Sequence, residues 1–445
     1  MAVVNNRVRA GTVLPVDAAR WTMRTFAVVN VVIVEALFLS AGSGKNEVLT
    51  LARFFGLHAA LLMMFQLLLV ARLPWLDRRI GMDRLTVWHR WVGFLLLWTV
   101  LTHATLVVLG YARLDGASTG KTFVALSGVP ASLLGMLATA VIVVIAVIST
   151  RPLRRRLRYE VWHGLHLLLY VAAGLSFVHQ LQETTTFTSS AFATAYWWVL
   201  WLFAFGALLT GRVAVPLWRN VHHRFRVEAV VPESDNVVSV YVTGRHLDKL
   251  PARAGQFCIW RFPGHNHWWL ANPFSLSAAP NGQTLRLTAK AAGSTSAGLR
   301  NVPVGSRAFV EGPYGAFTSL HRTRSGTLLI AGGVGITPVR AMLEEATGDV
   351  VVLYRVRSEA DAVLLDEVRH LVELRGGRLH LLTGRTGEDG VSLLGSGSLH
   401  RLVPDITERD VYVCGPPAMT KAVLAGLRDL RVPARQVHAE KFGLA

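Results

Sequence analysis

Four histidines stand out by their spacing. His89 and His103 lie fourteen residues apart and His166 and His179 thirteen, in stretches otherwise apolar enough to cross a bilayer. An imidazole in such a stretch is costly unless it finds a partner or a ligand. Fourteen residues of α-helix rise about 21 Å and return to within about 40° of the starting direction. Two haems, one near each face of a bilayer, need a spacing of that size. If the third and fifth spans run in parallel, His89 pairs with His166 and His103 with His179. Four imidazoles then give two six-coordinate irons, which suits electron transfer rather than oxygen binding at iron. Thirteen residues leave two side chains roughly 140° out of register. The fifth helix is therefore expected to be irregular, with Gly174 as the expected place. His58 and His163 are read instead as histidines hydrogen-bonded between helices.

A second group of residues lies after position 250. AGQF precedes NPFSLSAAP at 272–280, AAGSTSAG follows at 291–298 and EGPYG at 311–315. A flavin dinucleotide needs backbone N–H and hydroxyl donors around its pyrophosphate, a task that suits Gly293, Ser294, Thr295 and Ser296. It also needs a barrel edge for the isoalloxazine ring, where Phe274 and Ser275 fit. LLIAGGVGITPV at 328–339 runs from a buried strand into a helix. Gly332, Gly333 and Gly335 there allow a pyrophosphate to approach the backbone at a helix N-terminus. VYVCGPPAM at 411–419 supplies a second strand end, with Cys414 beside a nicotinamide and Gly415 and Pro416 shaping the turn. A 2′-phosphate needs a charged donor at a strand end near the adenosine. Arg385 in LLTGRTG resembles the position used for this in ferredoxin–NADP reductases, with Arg355 and Arg357 in reserve, so NADPH is preferred over NADH.

The elements that must hold these residues follow from composition. The chain has 445 residues, 52% hydrophobic and 17% charged. An ordinary soluble domain carries about 25% charged residues, so a wholly soluble or a disordered protein is excluded. Two cysteines, Cys258 and Cys414, exclude a disulfide scaffold and cannot alone build a zinc or iron–sulfur site. Six apolar stretches, near 22–41, 50–71, 88–110, 131–149, 160–180 and 193–215, are each long enough to span a bilayer. The first is read as a retained span rather than a signal peptide. Of the formal net charge of +18, a surplus of 12 falls in residues 1–220 and 6 in the remainder. The connections alternate, with eighteen Lys/Arg on one side against three on the other. By the positive-inside rule both termini and the second half are expected in the cytoplasm of a multi-pass plasma-membrane protein. The same asymmetry argues against nucleic-acid binding. Beyond residue 220, short alternating segments read as an antiparallel β-barrel to 322. Buried strands alternating with helices then read as an α/β nucleotide-binding domain over 323–445. The expected plan is an arm at 1–20, a six-span haem-binding bundle at 21–219, a flavin barrel at 220–322 and the nucleotide domain.

Taken together, the paired histidine spacings, NPFSLSAAP, GGVGITP, CGPPAM and the terminal HAEKF resemble the ferric reductase and NADPH oxidase superfamily of transmembrane flavocytochromes. The likeness is greatest to bacterial members with a ferredoxin–NADP reductase-like soluble half. It covers roughly residues 20–445. The resemblance implies FAD, two b-type haems and NADPH as cofactors. NPFS corresponds to the family's HPF(S/T) flavin motif and implies Pro273, Phe274 and Ser275 at the ring, with Asn272 in place of the usual His or Arg. GGVGITP implies nucleotide contacts that extend to Thr337 and Pro338. Glu440 and Phe442 match an acidic-x-aromatic ending whose ring shields the flavin. Arg53 matches an arginine near the outer haem of NADPH oxidases. A second outer histidine of those oxidases is Val107 here, and their EF-hand extension is missing. The implied activity is electron transfer from cytoplasmic NADPH to a one-electron acceptor outside, foremost a ferric chelate. Oxygen and a membrane quinone are further acceptors. A superoxide-producing oxidase, or a membrane-anchored sensor with degenerate cofactor sites, is the alternative. Trp98 or Tyr170 would fill the gap between the haems.

Overall fold

The computed structural model describes residues 16–182, 187, 189–265, 272–384 and 393–441. It divides into two compact units. One holds residues 1–73 and 84–212, the other 74–83 and 213–445.

The first unit is a helical bundle. Among the described residues six helices are long and apolar enough to cross a membrane: Ala18–Ser40, Glu47–Val70, Arg84–Asp115, Pro130–Ile148, Tyr159–Gln182 and Ala191–His223. The six expected spans are therefore present. The second helix is the most buried, with Leu61 and Met64 at the centre of a core that also takes in Ala172, Ala173, Trp197 and Trp201. Small residues let the backbones close up, as where Gly211 meets the Ala71 carbonyl. The fifth span is interrupted, but at Leu167 rather than Gly174. One helix ends at His166 and the next runs Leu168–Gln182. The Leu167 N–H turns back to the carbonyls of His163 and Leu165, and Tyr170 N–H bonds Leu167 O. This tightening of one turn falls directly after His166, a ligand candidate. Gly174 sits undisturbed inside the second piece.

Among the described residues the second unit carries eleven strands. β1 (Arg226–Ser234), β2 (Val237–Thr243) and β5 (Thr284–Lys290) form one antiparallel sheet. β4 (Asn272–Ser275), β3 (Phe257–Arg261) and β6 (Phe309–Tyr314) form a second. The expected barrel is thus two three-stranded sheets, joined by the Leu276–Leu287 and Arg226–Arg307 bridges and not by a closed ladder. They share a core around Trp260, Leu276 and Leu287. The nucleotide-binding part is a five-stranded parallel sheet. Its order is β11 (Val437–Lys441), β10 (Arg409–Gly415), β7 (Gly326–Gly332), β8 (Val350–Arg355) and β9 (Arg378–Leu382). Successive side chains alternate between faces. Leu329, Ala331, Tyr412 and Cys414 pack on one side, and Leu328, Ile330, Val411 and Val413 on the other. That double burial is why the strands read as continuous apolar runs. Arg286 of β5 ties the parts together. It makes a two-pronged contact with Glu367, at 2.9 and 3.0 Å, and Glu367 also takes Arg340 Nε at 2.6 Å.

The free edge of β6 is closed by two segments distant in sequence. Asn220 Nδ2 donates to Val310 O, and Val310 N–H donates to Asn220 Oδ1, each at 2.8 Å. Arg219 donates to Gly312 O. From the other segment, Asp77 Oδ2 accepts the Gly315 N–H at 2.7 Å. Replacing Asn220 with Ala leaves both Val310 backbone groups unpaired. Thermal unfolding of the purified chain should report a loss of about 1–3 kcal/mol.

Candidate functional site

His89 and His166 are brought face to face, with ring centroids 6.2 Å apart. Among the described residues neither Nδ1 has a hydrogen-bond partner, although both are buried. A first-row metal–imidazole bond is about 2.0 Å, and a ring centre lies about 1.1 Å beyond its nitrogen. Two imidazoles on opposite sides of one iron therefore place their centres about 6.3 Å apart, and the observed separation fits. Gln66 secures the helix here by donating Nε2 to His89 O at 2.9 Å, and Gly93 leaves room for it.

His103 and His179 are each fixed by a carbonyl of a neighbouring helix. His103 Nδ1 lies 2.8 Å from Ala52 O, and His179 Nδ1 lies 2.8 Å from Ala131 O. A ring N–H given to a carbonyl sets the tautomer and leaves Nε2 as the coordinating nitrogen, the arrangement found behind metal-bound histidines. The helices are cut away to receive these rings. A Cβ at Gly56 would stand 2.8 Å from the His103 ring, and one at Gly135 would stand 3.0 Å from that of His179. The His89–His166 pair therefore fits a bis-histidine haem, and His103 and His179 are each oriented as metal-binding imidazoles are. Among the described residues no group of three or more His, Cys, Asp or Glu could hold a bare metal ion, and a haem iron takes two protein ligands at most. His58 is occupied as expected, with Nδ1 on Phe54 O at 2.9 Å and Nε2 on Glu35 at 3.3 Å. Arg53 bonds Ala41 O and Gly42 O and lies over Phe38, so it closes the turn after the first span.

In the second unit the two flavin motifs converge. Asn272 and Thr295 line one small cleft, together with Trp260, Phe262 and His265. Phe274 is half-buried on β4 opposite Cys258, Pro273 is exposed beside it, and Ser275 is buried. The AAGSTSAG loop opens the short helix Ser294–Gly298 from an extended Gly293. Ser296 differs from the expectation. Its hydroxyl accepts from the N–H groups of Ala292 and Gly293, at 2.9 and 3.1 Å, and so braces the loop.

At the other end of the flavin region, Gly315 follows β6. A Cβ there would lie 3.2 Å from the Phe257 ring and 3.8 Å from Glu440 Oε1. Register pairs Glu440 with Cys414 and Lys441 with Gly415, so the sequence's acidic terminus and its cysteine are neighbours. Cys414 is fully buried. Beside Asp77, the Arg78 Nε is buried without a partner among the described residues. Burial lowers the Arg78 guanidinium from its ordinary value, as does repulsion from Arg219 and then Arg253, while Asp77 acts the other way. Three arginines around one turn, with an orphaned donor, suit an anionic group such as those of FAD. Asp77, Arg78, Arg219 and His265 were not found by motif. The one signal was an acid, Asp77, in the otherwise basic stretch PWLDRRIG.

The nucleotide end is built by close approach. A Cβ at Gly335 would lie 2.3 Å from Cys414 O, and one at Gly415 would lie 3.1 Å from Gly332 Cα. Gly333 has φ +53° with open space above it, which leaves a strand-to-helix turn that a ligand can approach. Thr337 bonds Val334 O at 3.0 Å and, with Pro338, is buried in the helix Ile336–Glu345. Pro416 precedes the helix Pro417–Asp429, and Thr420 anchors Gly415 O at 3.2 Å. Arg355, at the end of β8, gives one nitrogen to Val356 O and Leu382 O. Arg385 and Phe442 lie outside the described residues.

Comparison with known proteins agrees with both halves. Residues 55–177 match the ferric reductase like transmembrane component, and residues 329–425 match the oxidoreductase NAD-binding domain. The ferredoxin reductase component of 3-ketosteroid-9-alpha-monooxygenase from Mycobacterium tuberculosis is 32% identical over 235 residues, 49% of this chain and 64% of that protein. A flavohemoprotein from Chromobacterium violaceum is 34% identical over 248 residues, 49% of this chain and 60% of that protein. The chain thus spans less than two thirds of the length of these curated relatives. The crystal structure of the FAD/NAD binding domain of a nitric oxide dioxygenase from Vibrio cholerae covers 49% of this chain and 98% of its own, at 26% identity and a TM-score of 0.39. A ferric-reductase-like transmembrane component followed by an oxidoreductase NAD-binding domain matches the superfamily that the sequence motifs resemble, that of ferric reductases and NADPH oxidases.

Proposed function

We propose that this chain carries electrons from cytoplasmic NADPH across a cell membrane to a one-electron acceptor on the outer face, with ferric iron in a chelate as the leading substrate. The observation that carries the reading is the facing His89–His166 pair, held in one chain with a nucleotide-binding strand crossover. When bound, FAD would divide a hydride's electron pair and two haems would relay single electrons, chemistry that belongs to the cofactors.

The chain's own residues bind and orient. His89 with His166, and His103 with His179, would hold the haems. Gly332, Gly333, Gly335 and Gly415 let a nicotinamide nucleotide reach the backbone, and Cys414 and Glu440 line its approach to the flavin. Asn272, Pro273, Phe274 and Ser275 would hold the ring, and Gly293, Ser294 and Thr295 the pyrophosphate. Asp77 fixes the Gly315 turn. Arg385, with Arg355 behind it, would select NADPH. Replacing Arg385 with Ala is expected to raise the KM for NADPH about tenfold, the worth of one charge-assisted contact, and to leave the KM for NADH unchanged in steady-state assays.

The test is an anaerobic optical spectrum of the purified full chain with FAD, before and after NADPH. A b-type haem signal that NADPH reduces, and that a ferric chelate then reoxidises, is the expected result. Haem-free protein would sink the reading. So would haem that NADPH leaves oxidised.

A further inference from the structure

A group of charged side chains joins the flavin strand to the nucleotide helix, and nothing in the chemistry above uses it. Arg286 of β5 and Arg340 of the helix Ile336–Glu345 are buried, at 4% and 9% exposed. Glu367 and Glu344 are their partners, so the group is neutral as a whole.

Both arginines converge on one backbone carbonyl. Ser277 O accepts from Arg286 Nη2 at 2.7 Å and from Arg340 Nη1 at 3.3 Å. The same Arg340 nitrogen bonds Glu344 Oε1, and Glu344 Oε2 accepts the Ala279 N–H. Glu367 Oε2 lies 2.6 Å from Arg340 Nε and 3.0 Å from Arg286 Nη2. The chain at Ser277 and Ala279 is thus held at a carbonyl and at an N–H by two residues one turn apart on a single helix.

The two ends of this link lie beside the two cofactor motifs. Ser277 is two residues beyond Ser275, where the flavin motif ends β4, which is at most about 7 Å along the chain. Arg340 is five residues beyond Gly335 of the nucleotide turn, about 7.5 Å along its helix. A buried ion pair is no more stabilising than apolar side chains of the same shape. What it adds is geometry, because charge-assisted hydrogen bonds fix separation and angle where apolar side chains can slide.

We propose that Arg340 and Glu344 are positioning residues for hydride transfer, holding the nucleotide turn at a set distance from the flavin strand, with Arg286 and Glu367 as braces. The proposal rests on the NADPH-to-FAD step of the function proposed above. That step moves a hydride, two electrons with one proton, from NADPH to oxidised FAD and leaves NADP⁺ and the anionic reduced flavin. The four side chains act through the backbone they hold. A displacement of about 1 Å between donor and acceptor costs about a hundredfold in rate.

The test is anaerobic stopped-flow reduction of the FAD-loaded full chain by saturating NADPH, in Arg340→Met and Glu344→Ala. Met keeps most of the length of Arg and removes its donors. Glu344 is the more exposed of the pair, so its variant serves if Arg340→Met does not fold. Both are expected to lower the limiting rate at least about tenfold, with FAD content kept and the Kd for NADP⁺ within about twofold of the unmodified chain. The long-wavelength charge-transfer absorbance between reduced flavin and NADP⁺ should weaken in parallel. Arg340→Lys, which keeps one charged donor, should recover part of the rate and of the absorbance. Before nucleotide is added, hydrogen exchange of the Ala279 amide should be faster in Glu344→Ala. Rate and absorbance unchanged in both variants overturn the proposal. So does a loss confined to KM or to FAD content, which would make the link a matter of binding or folding alone. If neither NADPH nor NADH reduces the FAD of the unmodified chain, the hydride-transfer reading itself fails and takes the proposal with it.

Discussion

His103→Ala is expected to halve the haem content of the purified protein, from two per chain to one, read from the pyridine haemochrome spectrum. The His103 ring is held by the Ala52 carbonyl and received by Gly56. Removing it deletes one ligand and leaves its partner, His179, unable to hold a low-spin iron alone. The His89–His166 pair lies fourteen residues away, about 21 Å along the helix, and should keep its haem. Gly56→Leu should copy the result from the other side, because even its Cβ would sit 2.8 Å from the His103 ring. The control is His58→Ala. His58 is engaged with Glu35 and Phe54, so both haems should remain. Haem halved by His58→Ala and untouched by His103→Ala would reverse the assignment.

The second large effect is expected at Gly335. An alanine there places its methyl 2.3 Å from the Cys414 carbonyl oxygen and 2.7 Å from the carbonyl carbon. These are backbone atoms of β10, held between β11 and β7, and they cannot swing aside. The strand-to-helix turn must move instead, at a cost of about 1–3 kcal/mol or more. Reduction of bound FAD by NADPH, followed by stopped flow, should fall at least about a hundredfold, since a displacement of about 1 Å at a reacting pair costs on that order. The haem content should not change. Gly332→Ala is the informative contrast. Its Cβ meets the end of Met419, a flexible side chain, as well as the Pro416 ring, so part of the clash can relax and the loss should be smaller. Equal, mild effects at both positions would mean that the nucleotide turn is looser than its packing implies.

The six spans and the parallel sheet were legible because each repeats one signal, apolar length for the helices and doubly buried β-branched runs for the strands. That His89 and His166 face each other was legible because helical rise converts residue number into depth. The break in the fifth span was misplaced at Gly174. A glycine is visible in a sequence, whereas the turn at Leu167 is set by where the Leu167 N–H finds its acceptors. The role of Ser296 was hidden for a similar reason, since a hydroxyl that braces its own loop and one that meets a ligand look alike in a string of letters. Asp77 was out of reach altogether. Its contact with Gly315 spans 238 positions, and no local pattern joins them.

That contact governs how the reductase half can be isolated. A fragment started at residue 225, where the alternating segments begin, would leave behind both Asn220 and the stretch 74–83. The outer edge of β6 would then present unpaired backbone groups, an invitation to strand-to-strand association. Such a fragment should form oligomers in size-exclusion chromatography. A soluble version needs the helix from Val215 and a graft of residues 74–83, supplied by linker or in trans. The flavin half of this enzyme is thus a discontinuous folding unit. A ten-residue insert from the membrane half completes its surface, and gene fusions that exchange one half between relatives should carry that insert with the reductase.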